Sequence, residues 1–221
     1  MDWTAFVLSL ELAAVTLLIL VPAGMLLARW LAFGRFFAKP LIEAAVALPL
    51  VLPPTVLGFY LLELFGAGSP IAWLWQDLFG GPLAFTFSGL VAASLVVNLP
   101  FAVHPVQRAF EAIDPDIREA AASCGMTPLR AFLRVELPLA APGMVTAAAL
   151  TFAHTLGEFG VVLMVGGAIP GETRTIAIAI YDRVQAFDEA AAGRMATLLL
   201  AISVATMAAA MLFGRGWGSR N

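Results

Sequence analysis

Long apolar runs, each close to the length of a membrane span, alternate along the chain with short polar stretches. Five stand out, at residues 6–28, 41–65, 83–103, 139–165 and 195–213. A helix needs about 20 apolar residues to cross a bilayer, so the pattern predicts an all-α, polytopic membrane helix bundle of about five spans. Residues 1–221 read as a single transmembrane domain. The first run reads as a permanent span: Asp2 stands where a cleavable signal would carry basic residues, and the run exceeds a signal's apolar core. The second holds Pro49, Pro53 and Pro54 in its middle. Each proline removes a backbone donor, and the carbonyls it frees need a neighbouring helix or a wet cavity. A packing kink and a break lining a pathway both fit. Between the last two runs, residues 167–194 carry a further pattern. Thr175 as a cap, with Ile176, Ile180 and Val184 at i, i+4, i+8, predicts a short helix dipping into the outer surface. Ile176, Ile178 and Ile180 also alternate like a strand, but that strand would have no sheet to join.

Composition and charge sharpen this picture. The chain is 61% hydrophobic and 12% charged, against about 45–50% apolar and about 25% charged in soluble domains, which excludes a water-soluble fold. A net charge of −3 without a basic tract argues against nucleic-acid binding. Cys124 is the one cysteine and His104 and His154 the only histidines, so neither an internal disulfide nor a multi-histidine metal site is expected. Arg29, Arg35 and Lys39 follow the first run, the stretch 66–82 has no basic residue, and Arg108, Arg118, Arg130 and Arg134 follow the third. With Arg215 and Arg220 in the tail, this alternation puts the amino terminus outside and the carboxyl terminus inside. Arg174, Arg183 and Arg194 run against it on the outer side. Trp3, Trp30, Trp73, Trp75 and Trp217 sit at or beside the ends of apolar runs, as an interfacial belt requires.

The inner segment 104–138 is the most informative. Asp114 is an N-cap with Pro115 at the first helical position, and Gly125 is a natural stop. Ile117, Ala120, Ala121 and Cys124 share a face of that helix. Thr127 and Pro128 then start a second helix that places Leu129, Phe132 and Leu133 together, before Pro138 opens the fourth span. A capped, amphipathic helix pair on the inner side points to a cytoplasmic docking partner.

Glu119-Ala120-Ala121, then Gly125, then Val135-Glu136-Leu137-Pro138 resemble the EAA-x3-G-x9-I-x-L-P motif of ABC-importer permeases, with Val135 for Ile the one departure. Pro49 to Pro54, Thr155-Leu156-Gly157-Glu158-Phe159-Gly160 and Ile169 to Thr175 are similar to the molybdate-importer permeases. The sulfate/thiosulfate permeases share much of that pattern. The resemblance implies a type I ABC importer permease fold in the cytoplasmic (inner) membrane, working as a homodimer with two ATP-binding subunits and an extracytoplasmic substrate-binding protein. It implies an oxyanion substrate, most of all molybdate, with tungstate or sulfate/thiosulfate as the alternatives. It assigns ATPase coupling to Glu119, Ala120, Ala121, Gly125, Met126, Thr127, Leu137 and Pro138. A phosphate-binding P-loop needs a lysine in GxxxxGK[ST]. The only lysine, Lys39, lies in Phe37-Ala38-Lys39-Pro40, so ATP and Mg are expected on the partner ATPase, with no cofactor or catalytic residue on this chain.

Ionisable groups inside a membrane are costly and rare. Thr151, His154 and Glu158 are spaced to share one face of the fourth span, and Asn98 precedes a proline in the third. These four are the candidates for a translocation path or gate; hydrogen bonding of His154 and Glu158 to each other or to neighbouring helices is the other reading. A carboxylate repels an oxyanion, so Glu158 suits a gate better than a substrate ligand. Glu11, Glu43 and Glu63 fall near span ends and read as satisfied interfacial acids. Two other classes compete. An intramembrane enzyme would need catalytic groups converging from several spans, whereas His154 and Glu158 lie on one. An ion-coupled carrier or channel would use Glu158 as its proton site and leaves the capped inner loop unexplained.

Overall fold

The computed structural model describes residues 1–218, with side chains through residue 214. Arg220 lies outside the described residues, as do the side chains of Arg215 and Trp217. Among the described residues there are helices and no strands. Helix α1 (Trp3–Phe33) opens on Asp2, whose carboxylate accepts the Ala5 N–H at 3.0 Å. After α2 (Lys39–Val51), α3 (Pro54–Phe65) and a short α4 (Pro70–Phe79) comes α5 (Phe87–Glu111), the centre of the bundle, packed between α1 and α8. The loop after α5 holds α6 (Pro115–Ser123) and α7 (Pro128–Ala131), and a π-helical turn (Phe132–Glu136) leads into α8 (Leu137–Gly157). Then come α9 (Gly160–Gly166), α10 (Ile176–Gln185) and α11 (Glu189–Gly218). Among the described residues four helices are long and apolar enough to span a membrane, at Trp3–Phe33, Phe87–Glu111, Pro128–Gly157 and Glu189–Gly214, and the pair α2–α3 makes a fifth if counted as one.

Two expected spans are broken. Helices α2 and α3 meet at 112°. Leu52 and Pro53 both precede a proline, which disfavours helical backbone, and both are extended, at ψ 137. The fourth expected span stops at Gly157; Glu158 is extended (φ −67, ψ 127) and α9 starts afresh at Gly160. The broken halves α3 and α9 pack on each other. Their approach is close because the contact points lack side chains. A Cβ on Gly160 would stand 2.7 Å from Pro54 Cβ, and one on Gly58 would stand 2.8 Å from Met164 Cβ.

Other expectations shift. The third span runs on through His104 and Arg108 to Glu111, so the inner loop begins later than residue 104. Pro138 does not open a new helix. It lies in the first turn of α8, which follows without a break from the π turn; the Arg134 carbonyl loses the N–H that Pro138 lacks, and a widened turn absorbs the mismatch. The stretch 66–82, expected as a loop, contains α4. Ser69 caps it by accepting the Ala72 N–H at 3.0 Å, and Gly80 ends it at φ 77. Residues 176–185 are helical, but the buried set is Ile176, Ile178 and Ala179, with Val184 exposed. Thr175 makes no side-chain cap; Ser9 Oγ of α1 takes the Ile176 N–H at 2.8 Å instead.

Overfilling the α3–α9 contact tests this packing. Gly160→Val is expected to destabilise the protein by about 1–3 kcal/mol, the usual cost of overpacking, read as a lowered Tm in detergent. Gly193→Ala, where a Cβ meets nothing within 4 Å, should be neutral or slightly stabilising.

Candidate functional site

Two polar centres stand out, one at the loop between α5 and α8 and one between the broken spans. In that loop Asp114 caps α6, its carboxylate accepting the Asp116 N–H at 3.0 Å. The helix closes in a Schellman turn: Met126 N donates to Ala121 O (3.2 Å), Gly125 N donates to Ala122 O (2.9 Å), and Gly125 holds φ 74. Thr127 Oγ1 then accepts the Arg130 N–H at 3.4 Å and starts α7. Glu119, Ala120, Gly125, Thr127 and Pro138 are exposed, Met126 and Leu137 are half-buried, and Ala121 is buried. The apolar residues expected to share helix faces in this loop are mostly uncovered. Phe132 is half-buried, whereas Ile117, Leu129 and Leu133 are exposed, an apolar surface at the tip of the loop.

This loop is tied to the bundle by a residue that pattern reading left without a role. Glu136 is buried at 3% exposure, between Arg29 Nε of α1 (2.6 Å from Oε2) and Arg118 Nε of α6 (3.1 Å from Oε1). The Arg118 guanidinium lies 3.7 Å over the Phe33 ring, and that of Arg29 lies 5.1 Å from the Phe132 ring. One carboxylate therefore joins α1, α6 and the π turn below α8. The available signal was an acid inside the apolar run from Val135 to Ala140, with two loops' worth of arginines to receive it.

Between the broken spans a chain of polar side chains crosses the bundle. Thr16 Oγ1 of α1 donates to Ser94 Oγ (3.0 Å), and Asn98 Nδ2 donates to Ser94 O (2.9 Å) and Ser94 Oγ (3.1 Å). Asn98 Oδ1 faces His154 Nδ1 at 3.1 Å, and His154 Nε2 lies 3.8 Å from Glu158 Oε2. Glu158 Oε1 accepts the Val161 N–H at 2.9 Å and so caps α9. Asn98, His154 and Glu158 thus come together. Thr151 does not join them: it is fully buried and its Oγ1 has no partner. Glu158 also leaves the α8 face on which helical spacing placed it, because the helix ends one residue earlier. His154 and Glu158 line a cavity of about 190 Å³ together with Pro49, Leu50, Leu52 and Pro54. The proline break therefore borders a cavity rather than merely kinking a span.

The acids at span ends find partners in part, and so do the outer arginines. Glu43 Oε1 accepts from Gln107 Nε2 at 2.8 Å and lies 3.9 Å from Lys39 Nζ. Arg174 reaches Asp182 (2.8 Å) and Asp2 (3.6 Å), and Arg183 reaches Asp188 (3.4 Å). Two of the three arginines that ran against the charge rule, Arg174 and Arg183, are thereby paired with carboxylates, which does not change a rule that counts basic residues.

The model of the family described as binding-protein-dependent transport system inner membrane component matches residues 20–217. The molybdenum transport system permease protein ModB of Azotobacter vinelandii is 53% identical over 191 residues, covering 86% of this chain and 84% of that one. The sulfate transport system permease protein CysT of Escherichia coli (strain K12) is 35% identical over 181 residues, covering 82% of this chain and 65% of that one. Among solved structures, a bacterial ABC transporter involved in the import of the acidic polysaccharide alginate superposes with a TM-score of 0.77 at 16% identity. The match covers 96% of this chain and 78% of that one.

The Glu136 junction can be tested alone. Glu136→Gln leaves Arg29 and Arg118 without their counter-charge. Removing one member of a buried ion pair costs about 3–5 kcal/mol. The arginine side chains are 32% and 38% exposed, and solvent screening at both brings the expected loss to about 2 kcal/mol. A lower Tm and faster proteolysis in the α6–α7 loop are the expected readouts, with insertion into the membrane retained.

Proposed function

We infer the function from kinship: this chain belongs to the binding-protein-dependent transport system inner membrane components, and it is the permease subunit of an ATP-driven ABC importer. Its cargo is an oxyanion, molybdate. The observation that carries this choice is the 53% identity to a molybdenum permease over most of both chains, against 35% to a sulfate permease. Sulfate or tungstate, similar in shape and charge, is the second reading.

In this reading two copies of the single-domain chain pair around a shared path, with the amino terminus outside and the carboxyl terminus inside. A substrate-binding protein delivers the anion to the outer face. Two ATP-binding subunits dock on the inner loops, where Glu119, Ala120, Gly125, Thr127 and Pro138 are exposed and Ala121, Met126 and Leu137 shape the base beneath them. ATP and Mg bind on those subunits. The exposed Ile117, Leu129 and Leu133 supply the apolar area such docking would bury. Of the path candidates Asn98, Thr151, His154 and Glu158, His154 and Glu158 line the cavity, Asn98 holds His154 from α5, and Thr151 is buried apart from them. No lysine or arginine lines the cavity between the broken spans, so the anion is passed rather than held, and selection rests on the binding protein.

Gly125 gives the sharpest test. Nothing stands within 4 Å of a Cβ there, yet φ is 74, a left-handed backbone that costs a residue with a side chain roughly 1–2 kcal/mol. In proteoliposomes holding the complete transporter, Gly125→Val should cut ATP-driven molybdate uptake about tenfold while the chain still inserts. Competition by excess sulfate in the parent protein separates the two substrates. Intact uptake in the variant would sink the coupling role.

A further inference from the structure

Donors and acceptors along the polar chain fix the protonation of its central ring. Asn98 Nδ2 lies 2.9 Å from the Ser94 carbonyl, which only accepts, so the amide nitrogen belongs there and Oδ1 faces His154. Oδ1 only accepts as well. The proton between Oδ1 and Nδ1, 3.1 Å apart, is therefore the imidazole's own. The ring is held with Nδ1 protonated, and Nε2 is left facing Glu158 Oε2 at 3.8 Å. The other carboxylate oxygen, Oε1, is engaged by the Val161 N–H, so Oε2 is the one free to take a proton.

A neutral ring in this tautomer turns the Nε2 lone pair toward a carboxylate oxygen. One further proton removes that repulsion. On Nε2 it makes an imidazolium–carboxylate pair; on Oε2 it makes a neutral acid donating toward a neutral ring. In both arrangements the pair carries no net charge, and without the proton it carries −1. The Phe101 ring lies against the imidazole, centroids 4.3 Å apart and planes tilted by 31°, a contact that favours the cationic ring. No other ionisable side chain lines the cavity. Helices α2 and α3 bring Pro49, Leu50, Leu52, Pro54 and Leu57, α5 brings Val97 and Phe101, and α9 brings Val161.

We propose that His154 and Glu158 form a one-proton binding site in the wall of the cavity between the α2–α3 break and the α8–α9 break. The bound proton neutralises the wall that an anion must pass. Asn98 is its positioning residue, because it sets which nitrogen is left to face the acid. The consequence for transport rests on the importer reading of the preceding section; the proton site itself rests on the hydrogen bonds of His154 to Asn98 and of Glu158 to Val161, and on the 3.8 Å approach of Nε2 to Oε2.

Two measurements test it. The first is ¹⁵N NMR of the histidine-labelled full chain in lipid nanodiscs, with His104→Gln to assign the two rings. His154 should show Nδ1 protonated across the pH range in which it is neutral; a neutral ring protonated at Nε2 overturns the proposal. The second is uptake by the complete transporter against pH. Uptake should fall as pH rises and the proton leaves, approaching about tenfold per pH unit, the slope of a single proton. Glu158→Gln places an amide N–H where the protonated acid would stand, so the alkaline fall should vanish and uptake at alkaline pH should exceed the parent's several-fold. An alkaline fall unchanged in Glu158→Gln overturns the proposal. A transporter that carries no oxyanion at any pH would defeat the importer reading, and the tautomer measurement would then decide the proton site by itself.

Discussion

In the lipid core no water stands ready to satisfy a backbone group, so a span can break only where the protein or a wet cavity takes up the freed donors and acceptors. That constraint organises this molecule. Two spans break, one at Leu52-Pro53 and one at Glu158-Phe159, and their outer halves α3 and α9 pack together through Gly58 and Gly160. The bared start of α9 is served by Glu158, whose carboxylate accepts the Val161 N–H. A charge that looks extravagant inside a membrane is thus half structural. One oxygen closes a helix end, and the other faces a histidine that is itself held from α5 by Asn98. The cavity exists because the breaks do, and its wall is polar only where the second break needs a cap.

The loop between α5 and α8 follows the same logic with different chemistry. It reaches out of the bundle, and the coupling role proposed for it would require it to be firm. Backbone caps at Asp114, Gly125 and Thr127 give it internal order, but caps alone would leave it swinging. Glu136 fixes it by holding Arg118 of the loop and Arg29 of α1 on one carboxylate. The same residue ends the π turn from which α8 rises. A push on α6 is therefore a push on the base of the helix that carries His154 at its far end.

Much of this was legible in the chain. The five apolar runs, the caps around α6 and α7 and the spacing from Glu119 to Pro138 all act through local rules, and local rules can be read from neighbours in sequence. What escaped depended on distance in sequence or on a small competing effect. Glu136 meets Arg29 across 107 positions, a pairing no periodicity announces. Thr175 looked like a cap, but Ser9, 167 positions away, supplies the bond. Pro138 looked like a start because prolines favour first turns; the π turn shows that a helix can widen around one instead. The α4 helix was readable, since Ser69-Pro70 and Gly80-Gly81 are ordinary start and stop signals, and apolar contrast with the flanking runs hid it.

The placement of Asn98 shows how a neutral residue can govern a charged one. A buried amide with two donors committed to Ser94 has only its oxygen to offer, and that oxygen dictates which histidine nitrogen carries the proton. Glu158 then faces a nitrogen whose state depends on one further proton. An anion path lined by a fixed negative charge would oppose its own cargo, and one lined by a fixed positive charge would trap it. A shared proton avoids both extremes, because it cancels the wall's charge without creating a counter-ion strong enough to bind. Two residues of opposite tendency, pinned from opposite sides by Asn98 and the start of α9, give a neutral wall from ionisable parts.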